Sequence, residues 1–237
     1  MIAADPTSPR WGPLLAAATG AMGLVALVMV VLYAPTERVQ GVAQRIFYFH
    51  VPMAWTAYLA FFVVLVASVA YLWTRDLRWD AVARASVELG LLFTTLVLIT
   101  GSLWGKPIWN TWWTWDARLT STLVLWFIYV AYVMLRAYTP DLERGARFGA
   151  VLGILGFLDV PIVHFSVQWW RGLHPSPVVV RPDPQLPPEM QLTLAVCAIA
   201  IILLYATFMV YRIQLEQLRD ENRMLHEAQE EADVAPA

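Results

Sequence analysis

The chain has 237 residues, 59% of them hydrophobic and only 14% charged, with a formal net charge of −2. So few charges exclude an ordinary soluble domain, and no basic cluster supplies the electrostatic footprint that nucleic acid requires. The single cysteine, Cys197, excludes an intramolecular disulfide, and no C-x-x-C-H is present for covalent cofactor attachment.

Six stretches are apolar and long enough to cross a bilayer, a task that takes about 20 helical residues. They cover 14–34, 51–73, 85–103, 119–138, 148–167 and 190–211. Their apolar character is continuous rather than alternating, which favours helices over barrel strands. The expected fold class is therefore all-α, a polytopic membrane protein with six transmembrane helices. The first stretch reads as an uncleaved span, because the run after Arg10 exceeds a signal-peptide core and lacks a small-residue cleavage site. The third and fourth spans carry one near-terminal charge each, Glu88 and Arg136, tolerable close to headgroups. The fifth is unusual in holding Asp159, Pro161 and His164.

Residues 1–211 form the expected membrane domain, and 212–237 a cytoplasmic C-terminal tail. In the tail Leu215, Leu218 and Leu225 keep a helical spacing among charges, which fits a solvated helix end better than a coiled coil. Residues 227–237 are acidic and expected to fray.

With the N-terminus in the cytoplasm, ten of the sixteen basic residues fall on the inner side and six on the outer. That bias places both termini inside. The outer loops are then 35–50, 104–118 and 168–189. The last holds six prolines, hence an extended segment.

The second outer loop concentrates five of the twelve tryptophans: Trp104, Trp109, Trp112, Trp113 and Trp115, within W-G-K-P-I-W-N-T-W-W-T-W-D. Indole suits a surface that is greasy and wet at once. If 109–116 is helical, Trp109, Trp112, Trp113 and Asp116 share one face. An interfacial aromatic belt needs one or two rings per span end. Five rings suit a flat hydrophobic ligand, whose burial over a few hundred Å² contributes several kcal/mol at about 25 cal/mol per Å². Asp116 and Arg118 cannot both be buried unpaired. They pair with each other, anchor the loop, or meet a partner protein.

His50 lies in R-I-F-Y-F-H-V-P, two residues before Pro52, and is expected to cap the outer end of the second span rather than lie within it. His174, in R-G-L-H-P-S-P, sits in the third outer loop. Two neutral imidazoles flanking the tryptophan loop are able to ligate one iron from opposite sides. Equally, they suit interfacial hydrogen bonds to water or carbonyls. His164 is a rival ligand or a packed core group, and spacing leaves that choice open. Asp159 is the one acid deep in a span, a functional candidate by position. A nucleophile elbow, a glycine-rich phosphate loop and H-E-x-x-H are all missing, so the chain reads as a binding protein rather than an enzyme.

The segment W-G-K-P-I-W-N-T-W-W-T-W-D-A-R-L-T-S, residues 104–121, resembles the tryptophan-rich WWD signature of haem-handling proteins of cytochrome c biogenesis. Flanking F-H-V-P (49–52) and V-P-I-V-H-F-S-V-Q-W-W-R-G-L-H (160–174) are similar to one branch, the haem exporter protein C family. The resemblance implies a bacterial inner-membrane protein that binds haem b noncovalently at its periplasmic face. It implies a platform of Trp104, Trp109, Trp112, Trp113, Trp115 and Asp116, with His50 and His174, not His164, as axial ligands to the haem iron. Arg45, Lys106, Arg118 and Arg171 are candidates for the propionates, or equally for lipid phosphates. The partners implied are the ATPase and permease of an ABC transporter (proteins A and B of the cytochrome c maturation system), a small single-span protein (protein D), and the periplasmic haem chaperone (protein E), which receives the haem. Two other classes compete: a membrane haem b electron-transfer component, which needs histidine pairs on facing spans, and a scaffold that recruits the chaperone through an aromatic platform alone.

Overall fold

The computed structural model describes residues 11–170, 172–174 and 186–234, without the side chains of 227, 228 and 230–234. Within them the chain is helical apart from short connections. Helix α1 (Gly12–Val28) ends in a π-turn, Met29–Tyr33, and a 3-10 turn, Val42–Ile46, runs directly into α2 (Phe47–Thr74). There follow α3 (Leu77–Trp109), α4 (Ala117–Tyr138), α5 (Leu142–Phe157), α6 (Asp159–Trp169) and α7 (Pro188–Val234). Six helical segments are long and apolar enough to span a membrane, with α5 and α6 together making the fifth.

Local chemistry sets the boundaries. Asp76, Asp116 and Asp141 each N-cap the next helix by accepting a hydrogen bond from a backbone N–H, of Arg78, Leu119 and Arg144 respectively. Arg75 (φ 60°) and Asn110 (φ 56°) end α2 and α3 in the left-handed conformation that stops a helix. The helices outrun the apolar stretches: α3 has 33 residues, hence about 50 Å at 1.5 Å per residue, against a hydrocarbon core of about 30 Å. The fifth span breaks at Leu158, whose N–H bonds to Leu155 O at 3.2 Å. Pro161 then falls in the first turn of α6, where its missing N–H is harmless.

Helix α2 lies at the centre, packed on α3, α5 and α7. Its Phe61 ring stacks on Tyr129 of α4 at 3.9 Å between centroids. Glycines on neighbouring helices make room for such contacts: a Cβ at Gly90 would fall 2.6 Å from Phe61, and one at Gly153 2.9 Å from both Ser68 and Val64. Close approach over small residues is how helices gain contact where lipid removes the hydrophobic drive. Helix α1 is peripheral and rests on α7, where the Thr19 and Thr207 hydroxyls bond at 2.7 Å.

The end of the bundle away from the tryptophan loop carries a cluster of ion pairs. Arg84 of α3 meets Asp80 (3.1 Å), Glu216 (2.8 Å) and Asp220, and Asp80 also meets Arg136 of α4 (2.9 Å). Arg212 bridges Glu88 and Glu216, and Arg219 also reaches Glu216. Glu88 and Arg136 are thus paired across helices rather than left to headgroups. The tail differs from expectation as well. Helix α7 continues through Val234 rather than fraying from 227, and it is the acids that turn inward. Glu216 is 3% and Asp220 6% exposed, while Leu225 is 62% exposed. Arg84 of α3 draws the acidic face of α7 in, and the leucine stripe is left outside.

Candidate functional site

At the opposite end, α2, α3, α4, α6 and the tryptophan segment enclose a cavity of about 370 Å³. His50 faces it from within α2. The expected cap position is corrected: the 3-10 turn Val42–Ile46 starts the helix ahead of Pro52, so His50 lies one turn inside. Its imidazole is 9% exposed, with Nδ1 2.9 Å from Thr100 Oγ1 and Trp104 edge-on at 5.7 Å. Trp104 is itself held by a hydrogen bond from its Nε1 to Gln40 Oε1 (3.2 Å).

The tryptophan segment is helical only through Trp109. Asn110 stops α3, and residues 111–116 are irregular, so the shared helical face of Trp109, Trp112, Trp113 and Asp116 does not form. Side-chain bonds compete with helix here. Thr111 Oγ1 donates to Trp113 O (2.9 Å) and Thr114 Oγ1 to Asp116 Oδ2 (2.9 Å). Asp116 Oδ1 accepts from Leu119 N at 3.0 Å, so this carboxylate anchors the loop to α4. Arg118 instead donates to His164 O at 2.7 Å. Gly172 lies against Asp116, where an added Cβ would stand 3.2 Å from the Asp116 Cβ, and this brings His174 to the cavity.

The cavity thus collects His50, His174, Trp104, Trp109, Trp112, Trp113, Asp116 and Arg118. Trp115, 75% exposed, packs edge-on to Trp113 but lies outside the lining. Lys106 and Arg45 are also outside it. Lys106 Nζ donates to Asn110 O and Oδ1 and stands 5.9 Å from the Trp112 ring, closing the end of α3. Arg171 falls outside the described residues. His164 does reach the lining, its ring edge-on to Tyr58 (6.3 Å) and Phe165 (4.9 Å). Asp159 sits at the α5–α6 break, outside the cavity lining, and its Oδ2 has no hydrogen-bond partner among the described residues.

Sequence reasoning missed the helical walls. On α2, Phe47, Val51, Ala54, Trp55 and Tyr58 line the cavity with His50, and the signal was their spacing of three and four residues. Two donors on residues of the lining, Trp113 Nε1 and Arg118 Nε, are buried without an acceptor among the described residues.

The model of the family Heme exporter protein C matches residues 4–228. The chain belongs to that family. It is 40% identical over 214 residues to the heme exporter protein C of Bradyrhizobium diazoefficiens, covering 90% of this chain and 81% of the relative. The heme exporter protein C of Escherichia coli is 38% identical, over 77% of this chain and 74% of its own. A putative cytochrome c biosynthesis protein of Marchantia polymorpha mitochondria is 37% identical, over 63% of each. The whole cavity lies inside the matched region of the Heme exporter protein C family, from Phe47 to His174.

Proposed function

We propose that the chain binds haem noncovalently in this cavity, as substrate rather than resident cofactor, and hands it on for c-type cytochrome biogenesis. The observation that carries the reading is the meeting of three imidazoles, five tryptophans and a cation in one cavity of a chain from the Heme exporter protein C family. The lining fits the group: indoles offer flat apolar contact, imidazoles offer iron ligands, and the Arg118 side chain offers a cation for acidic oxygens.

Of the three histidines at the cavity, we assign His50 and His174 as the ligand pair. Both line the cavity together with the tryptophans. The His164 ring is instead engaged by Tyr58 and Phe165. Residues 1–211 act as the handling domain, with both termini cytoplasmic and the cavity at the periplasmic face of the inner membrane. A periplasmic haem chaperone takes the haem there, and the ABC transporter ATPase and permease with the small single-span protein complete the system. The chain itself cuts no bond.

Haemin titration of detergent-purified protein tests this, with His50→Ala, His174→Ala and His164→Ala beside the unaltered chain. The Soret band is expected to shift and weaken in the first two variants and to persist in the third. An unchanged spectrum in the first two contradicts the assignment. Loss only on His50→Ala and His164→Ala favours an intramembrane haem of the electron-transfer kind, since both residues stand on spanning helices. A colourless wild type that still captures the chaperone favours the scaffold.

A further inference from the structure

Three residues on one face of α3 grip the His50 ring: Thr100, Gly101 and Trp104. We propose that Thr100, seated beside Gly101, is a positioning residue that holds His50 as its Nδ1–H tautomer and so presents Nε2 for ligation. The proposal rests on the reading of His50 as an iron ligand.

The proton inventory around Thr100 carries it. A hydroxyl has one proton to donate and lone pairs to accept with. Thr100 Oγ1 lies 2.7 Å from Leu96 O and 3.3 Å from Val97 O, and carbonyl oxygens only accept. An O···O approach of 2.7 Å needs a proton between the atoms, so the hydroxyl donates there. The contact of 2.9 Å to His50 Nδ1 must then be donated by the ring. With Nδ1 protonated on a neutral ring, Nε2 keeps its lone pair. Gly101 leaves room for the ring edge: a Cβ there would stand 3.2 Å from Cε1 and 3.8 Å from Nδ1. A ligating histidine whose other nitrogen donates to a fixed oxygen is both oriented and more basic, and loss of such a partner typically weakens metal binding about 10–100-fold.

Nitrogen-15 NMR of histidine-labelled, ligand-free protein reads the tautomer without any substitution at the seat, the His50 signals being those absent from His50→Gln. The expected result is a protonated Nδ1 and an unprotonated Nε2, and the reverse overturns the proposal. Haemin titration and redox potentiometry then compare Thr100→Val, Thr100→Ser and His50→Ala. Thr100→Val should bind about 10–100-fold more weakly with a raised potential, since the imidazole donates less charge to ferric iron, and Thr100→Ser should restore both. If Thr100→Val matches wild type while His50→Ala loses the spectrum, ligation stands and the positioning role falls. If His50→Ala itself is unchanged, the ligand reading fails and this inference fails with it.

Discussion

Replacing Arg84 by methionine is expected to lower stability by about 3–5 kcal/mol, the usual cost of removing one partner from a buried ion cluster. Arg84 reaches Asp80, Glu216 and Asp220, which are themselves almost wholly buried. Without it three carboxylates share the compensation left by Arg136, Arg212 and Arg219. Arg219→Met is the control, because that side chain is 55% exposed and its ion pair among the described residues is with Glu216. With its arginine exposed to solvent, that pair falls toward the range of about 0–1 kcal/mol typical of surface pairs. Thermal unfolding in detergent, followed by loss of monodisperse protein, should separate the two variants clearly. Equal stability would mean that the cluster does not fasten α7 to α3.

Ala54→Trp is expected to weaken haem binding strongly while leaving the bundle folded. Ala54 faces the cavity one turn below His50. An indole there occupies a large part of a space of about 370 Å³. Forcing a ligand into a filled site costs about 1–3 kcal/mol by analogy with overpacked cores, so affinity should fall about 5–150-fold. Haem content of purified protein measures it, with helical circular dichroism as the check on folding. Undiminished haem content would put the ligand elsewhere on the molecule.

The spans and the chemistry-bearing residue types were readable from sequence because both signals are local. Continuous apolar runs need helices in a bilayer, and clustered indoles with flanking imidazoles stand out by composition. What was not readable depends on distant partners or on small backbone choices. Pro52 suggested a helix start, yet five residues of 3-10 turn before Phe47 moved that start and drew His50 inside. The tryptophan segment had helical spacing, but Asn110 in the left-handed region and two threonine side chains turned it into a loop. Asp80 finds Arg136 56 positions away and Arg84 finds Asp220 136 positions away, so their pairing leaves no mark in local spacing. Thr100 looks like Thr94, Thr95 and Ser102, each bonded to the carbonyl four residues back; only its neighbour in space distinguishes it.

A structure of the haem-loaded protein in detergent or nanodisc tests the central claim most directly. It should place the porphyrin among α2, α3, α4 and α6 against Trp104, Trp109, Trp112 and Trp113, with iron bonded to His50 Nε2 and to His174. Porphyrin bound at the lipid-facing surface, or iron with no bond to His50, would contradict the account.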